Sequence, residues 1–361
     1  MESDVERSNE WLRLFGQAVE LGRLRGLRRF RVVGSAHYGG MQTAATVAPD
    51  LLLGEGKGVF FTALGLPPGG TGQVPLLSEL TLRTIGLTDE QGVLLAEAVR
   101  VGNFRQVRVL ELRSNWNLGR LGMEALVGAV EESEEGMPFL ETLDVAYTHA
   151  GMGGASLGPA LLSGKLGKLC KVNFMSSHLT ADSVRALAGT VREGRFSVVS
   201  FLDLSHNELD SEAVGEFMTA IVQSEAGLPF LKVLDLRMNH LQSADGALVR
   251  ALASGKLPTL EGLHPFHFSV GREGVEALAH TVREGREFPA RLHQKIEFRL
   301  HDLPDNQTVV DPLLIALAES QKGLPRSISS LELNFGILRE EAMALLASNQ
   351  GEGGSCRGWR Y

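Results

Sequence analysis

The residues best able to do chemistry in this chain are four histidines, His206, His240, His264 and His267, with Asp235 not far upstream of the last two. Two imidazoles and a carboxylate could hold a metal ion or exchange protons with a substrate. Metal capture needs three ligands that converge tetrahedrally, and a sheet fans its side chains apart, so no metal and no catalytic residue are expected. No Ser-His-Asp or Cys-His arrangement stands out. GEGKG at 54–58 superficially resembles a phosphate loop but lacks its GK[ST] ending, so a turn is expected there and no cofactor is implied. RGLRR at 25–29 is the densest basic spot and reads as a solvated corner between helix and strand.

Composition narrows the classes further. A formal net charge of −8 argues against nucleic acid and anionic membrane as partners, since both require a basic face. Cys170 and Cys356 are too few for a disulfide framework, and the acidic start MESDVERSNEW is not a signal peptide, which together imply a reducing, cytoplasmic setting. Cys170 reads as an inert buried thiol and Cys356 as part of a flexible tail. No apolar run approaches the roughly 20 residues that span a bilayer. With 43% hydrophobic and only 6% aromatic residues, the core should be built of Leu, Val and Ala.

The elements that must position these groups are legible between Val199 and Leu241. VSFLDLSHNEL at 199–209 and LKVLDLRMNHL at 231–241 share aliphatic residues at relative positions 1, 4, 6 and 11, with Asn207 and Asn239 at position 9. This spacing is that of a leucine-rich repeat: a short strand, a turn at the Asn, and an amphipathic helix that returns the chain. Position 4 falls at Leu80, Leu110, Leu143, Val172, Leu202, Leu234, Leu263, Ile296 and Leu331, although at 290–303 Phe298 serves as well as Ile296. The intervals run from 29 to 35 residues, enough for a full helix in every unit. A longer period is superimposed: ALAGTVREGR at 186 and ALAHTVREGR at 277 lie 91 residues apart, as do SGKL at 163 and 254, and GMPFL at 136 and GLPFL at 227. A block of three repeats was therefore duplicated, and GLPRS at 323 marks a further copy with a small insertion.

The pattern resembles the ribonuclease-inhibitor-like class of leucine-rich repeat proteins, which includes repeat domains of NOD-like receptors and the Ran GTPase-activating proteins. The resemblance implies an α/β fold, a right-handed leucine-rich repeat horseshoe with a parallel concave sheet and convex helices. Strands about 4.8 Å apart beside helices 8–10 Å apart force such a curve. Residues 1–76 are expected to hold degenerate N-terminal repeats and a loop of the same solenoid, 77–347 the array, and 348–361 a flexible tail. In the first segment, 8–22 should form a helix with Trp11, Phe15, Ala18 and Val19 on one face, 24–32 a degenerate strand, and MQTAATVAPDLLL a helix.

Alternation turns positions 3, 5 and 7, and position 8 at the strand end, toward the concave space. Position 5 forms an acidic column that includes Glu111, Asp144, Asp203, Asp235, Glu297 and Glu332, with His264 among them. Position 7 is partly basic, with Arg83, Arg113 and Arg237 beside Met175 and Phe266. These charges satisfy one another across strands, or form a recognition surface with the apolar Tyr147, Phe201, Val233 and Met238 among them. Asn207 and Asn239 should hold backbone groups of adjacent strands, Ile85 and Phe268 at position 9 should leave irregular turns, and Pro265 should distort its strand. The reading that follows is a non-enzymatic scaffold that binds a protein through this face. The alternatives are a regulator of a small GTPase, similar to the Ran GTPase-activating proteins, or the sensor part of a larger receptor. The C-terminal segment is Gly-rich and slightly basic, unlike the acidic one those activators carry, and a single-turnover GTP hydrolysis assay with Ran separates scaffold from regulator.

Overall fold

The structure is a computed structural model and describes residues 2–33, 55–65, 74–241, 244–264, 267–292, 296–300, 306–326 and 328–333. The expected helix at 41–53, Cys356 and the 348–361 tail lie outside them. Two compact units divide the chain, Met1–Thr190 and Val191–Tyr361. Elements alternate through the first in the order α1 (Glu2–Glu20), β1 (Arg29–Val33), α2 (Glu55–Leu64), β2 (Glu79–Arg83), α3 (Asp89–Arg100), β3 (Val109–Glu111), α4 (Arg120–Glu132), β4 (Thr142–Asp144), α5 (Leu157–Leu162), β5 (Lys171–Asn173), α6 (Ala181–Arg192). The second continues with β6 (Phe201–Asp203), α7 (Ser211–Gln223), β7 (Val233–Asp235), α8 (Asp245–Ala253), β8 (Gly262–His264), β9 (His267–Ser269), α9 (Arg272–Arg283), β10 (Ile296–Leu300), α10 (Asn306–Glu319) and β11 (Ile328–Leu333). The fold is an α/β solenoid: β1 to β8 follow chain order in one open parallel sheet, and β9 to β11 form a second. Among the described residues, no helix is long and apolar enough to cross a membrane.

Leucine spacing sets the register. Leu80, Leu110, Leu143 and Val172 stand opposite one another in the first unit, as do Leu202, Leu234 and Leu263 in the second. All are buried, as are the position-6 residues Leu82, Leu112, Val145, Phe174, Leu204 and Leu236. Each such side chain contributes about 1.5–3 kcal/mol of burial, so these two columns and the helix faces behind them hold every repeat to the next. At the start of the chain Phe30 takes the place of the leucine, opposite Leu80. It stacks on Phe15 at 4.3 Å and contacts Phe60 at 5.0 Å. The inward face of α1 is Leu12, Phe15 and Val19, whereas Trp11 is exposed, contrary to the expected grouping. GEGKG is no turn either: α2 begins at Glu55, because the run that follows it buries Phe60, Phe61, Ala63 and Leu64.

The ladder changes partners between β8 and β9, and Pro265 itself lies outside the described residues. Leu263 stays in register with Leu234, while Phe268 three residues past the proline stands opposite Phe298, which pairs in turn with Leu331. Phe298 and not Ile296 is thus the anchor of its repeat, and Arg299, not Glu297, stands opposite Glu332.

Two side-chain devices join repeats. In the first, the position-9 residue closes the turn. Fully buried Asn115 donates from Nδ2 to the carbonyls of Leu82 and Leu112 at 2.7 and 2.6 Å, and its Oδ1 accepts from the amides of Ile85 and Leu87 at 3.0 and 3.1 Å. Asn239 does the same for the Leu204 carbonyl and the Asn207 and Leu209 amides. Thr148 and Ser177 substitute with hydroxyls that donate to the Val145 and Phe174 carbonyls at 2.6 Å. The turn at Ile85 is not irregular, since Asn115 of the next repeat satisfies its amides. Phe268's side chain lies outside the described residues. In the second device an aspartate caps the following helix. The N-cap residues of α4 and α9 are Gly119 and Gly271, which have no side chain to accept from the first turn. Asp89 accepts from Gly119 and Gly122 at 2.7 and 2.8 Å, and Asp245 from Gly271 and Gly274 at 2.5 and 3.2 Å.

The 91-residue period recurs as bonds. Ser133 Oγ accepts from the Gly136 amide as Ser224 Oγ does from Gly227, and both glycines lie in the left-handed region at φ 67° and 63°. Lys165 and Lys256, also 91 apart, each donate from Nζ to backbone carbonyls of the preceding linker at 2.6 Å, Lys165 to Glu131 and Ser133 and Lys256 to Glu225, so the lysine recurs while its acceptors shift. Ser320 accepts from Gly323 in the same way, which aligns the third copy.

Candidate functional site

From β3 to β8 the strands are only three residues long, so on their outward face position 5 ends the strand and the chain turns away at once. Position 8 is left-handed in six successive repeats: Thr84, Ser114, Tyr147, Ser176, His206 and Met238 have φ between 50° and 62°. A non-glycine residue there costs roughly 1–3 kcal/mol, offset in five of the six by the bonds of the adjacent polar position-9 side chain and, beside Thr84, by those that the Ile85 and Leu87 amides make to Asn115. Strict alternation would put positions 7 and 8 on opposite sides; the left-handed turn instead leaves Met238 beside Arg237 in the open, 68% exposed.

In the second unit, Phe201, Val233 and Gly262 stand in one row and Asp203, Asp235 and His264 in the next. Phe201 and Val233 are half-buried, and Gly262 leaves the end of their row without a side chain. Of the two roles open to the acidic column, Asp203 and Asp235 are placed closer to charges satisfied within the protein than to open ones. Asp203 is only 7% and Asp235 only 4% exposed, because each carboxylate bends back to the amide two residues on. Asp203 Oδ1 accepts from the Ser205 amide at 3.0 Å and hydroxyl at 2.6 Å. Asp235 Oδ1 accepts from the Arg237 amide at 3.0 Å, and the Arg237 guanidinium closes on both its oxygens at 2.5–3.0 Å. Phe266 lies outside the described residues.

In the first unit Glu111 accepts from Arg83 at 2.9 Å and Thr81 at 3.1 Å across the strands, and Arg113 lies 3.9 Å from Asp144, which also accepts from the Ala146 amide. Arg113 sits 4.8 Å over the Tyr147 ring. Tyr147 meets Trp116 edge to face at 6.1 Å, Trp116 meets His149 at 6.1 Å, and His149 meets His178 at 4.5 Å. Trp116, His149 and His178 form an aromatic edge next to the predicted Tyr147 and the half-buried Met175. They occupy position 10 of consecutive repeats, so reading that column in the sequence would have found them.

Burial pushes the carboxyls of Asp144 and Asp203 up, against the pull of the hydrogen bonds they accept; at Asp203 the neighbouring Asp235 adds to the rise. A raised folded value means that the unfolded chain releases its proton first as pH climbs. Stability from this group is therefore lost from about pH 3.9 upward, through the higher folded midpoint. Asp203→Asn keeps an acceptor for Ser205 and removes the charge. Urea unfolding at pH 3.5 and pH 7 should show the wild type losing stability relative to the variant as pH rises; a relative gain would contradict the assignment.

Cys170 is a free thiol, half-buried, and its Sγ lies 3.5 Å from the Glu141 carbonyl. Among the described residues, no three His, Cys, Asp or Glu side chains group closely enough to hold a metal. Comparison of the chain with protein-family models and with curated proteins finds no match in either.

Proposed function

We propose that this chain is a leucine-rich repeat protein of the ribonuclease-inhibitor-like class and serves as a non-enzymatic, intracellular scaffold that binds a protein on the concave face of its sheet. The observation that carries the reading is the outward face of β6 and β7. There the Phe201–Val233 row lies beside an exposed Met238 and an Arg237 already fixed by Asp235. Interfaces draw most of their energy from a few aromatic, Met and Arg residues in such settings. A guanidinium held by its own carboxylate loses less freedom on binding than a free one. The buried aspartates then serve to shape the face, and the partner meets the groups above them. The first unit offers a comparable surface in Arg113, Tyr147, Trp116 and Met175, with Glu111 behind.

The test is a titration of a partner recovered from the native cell against single variants, with circular dichroism to confirm folding. Phe201→Ala and Arg237→Ala should each weaken binding by about 2 kcal/mol or more, while Glu193→Ala and Arg250→Ala on exposed sites away from this face change it by less than about 0.5 kcal/mol. Damage confined to the second pair would overturn the proposal.

A further inference from the structure

The residue just before each strand forms a column of its own. In the first unit it reads Arg28, Ser78, Arg108 and Glu141, since Arg29, Glu79, Val109 and Thr142 stand opposite one another. A small serine between two arginines leaves a gap, and the structure contains a cleft of about 240 Å³ there, lined by Arg28, Leu76, Ser78, Gln106 and Arg108. Two strand spacings separate the arginine backbones by about 10 Å, which lets two guanidinium forks close on one tetrahedral oxyanion.

The partners of these groups are unevenly filled. Ser78 Oγ donates to the Arg28 carbonyl at 2.9 Å, which fixes the floor. Arg108 gives one N–H to Glu141 at 2.9 Å and lies 5.9 Å from the Phe139 ring, so its remaining donors are held in place and not consumed. The exposed Arg28 guanidinium makes no hydrogen bond or ion pair among the described residues, although Arg29 and Arg31 beside it both reach Glu79. Gln106 adds a neutral amide. Within a chain of net charge −8, this is a place where cations outnumber their carboxylates.

We propose that this cleft binds a phosphomonoester, clamped between Arg28 and Arg108 with the Gln106 amide as a third donor. Its chemistry suits the phosphate of a phosphorylated side chain and a free phosphate alike, and it is separate from the outward face of the sheet. Calorimetric titration of the full chain at low ionic strength tests it, with inorganic phosphate, a phosphoserine peptide and its unphosphorylated form as probes. Phosphate should bind. Arg28→Gln and Arg108→Gln should each weaken it by about tenfold, the worth of one charge-assisted pair, while Arg23→Gln, outside the cleft, leaves it unchanged. A phosphopeptide that binds tighter than phosphate assigns the site to a modified partner; equal affinity assigns it to the free anion. No binding of either phosphate probe, or cleft variants that bind as the wild type does, would overturn the proposal.

Discussion

Asn115→Leu is expected to lower the unfolding free energy by about 3–5 kcal/mol, because one buried amide satisfies four backbone groups at once and each orphaned group costs about 1–3 kcal/mol. The leucine fills a similar volume, so the loss is not one of packing. It leaves the Ile85 and Leu87 amides and the Leu82 and Leu112 carbonyls without the partner they have. Three of these, the Leu82 carbonyl and the Ile85 and Leu87 amides, belong to the preceding repeat, so the damage should spread beyond the substituted one. Neighbouring Asn117 is exposed, and Asn117→Ala should change stability by less than about 0.5 kcal/mol. Chemical denaturation of the two variants side by side measures the difference. Equal midpoints would mean that the turns are not what joins the repeats.

Gly274→Ala is the second large effect. A methyl at this position would lie on the Asp245 Oδ2 and 2.5 Å from Val270 Cγ1. Asp245 is 4% exposed and cannot swing into water without abandoning the amides of Gly271 and Gly274. Overpacking of about 1–3 kcal/mol adds to the loss of a cap, for a total of about 3 kcal/mol or more. Gly128 in α4 has open space around its Cα, so Gly128→Ala should instead stabilise by up to about 1 kcal/mol. Opposite signs from the same substitution in two helices would establish that the first glycine is required by the aspartate. A Gly274→Ala protein as stable as wild type would show that it is not.

What the sequence discloses follows from how each feature is encoded. The strands could be read because leucine at positions 4 and 6 is a burial signal repeated in every unit, and the 91-residue duplication because identical residues carry identical bonds. The anchor of the repeat at 290–303 was half legible: two registers fit its sequence, and only three-dimensional pairing decides that Phe298 faces Phe268 and Leu331. Asp89 and Asp245 read as ordinary acidic residues in a helix's first turn, and their true partners lie 26 to 33 residues further on, beyond any local pattern. The candidate face was legible in its residue types and not in their exposure. Asp203 and Asp235 look like open charges until the carboxylates are seen to turn back on their own backbone, while Trp116, His149 and His178 belong to a column outside the strand.

Hydroxyl-radical footprinting of the protein with and without its partner asks most directly whether the outward face of the sheet is where binding occurs. Met238 is 68% exposed on that face, and Val222 on α7 is exposed as well. The account predicts that the partner slows oxidation of Met238 and leaves Val222 at its free rate. Protection of Val222 while Met238 oxidises as in the free protein would contradict it.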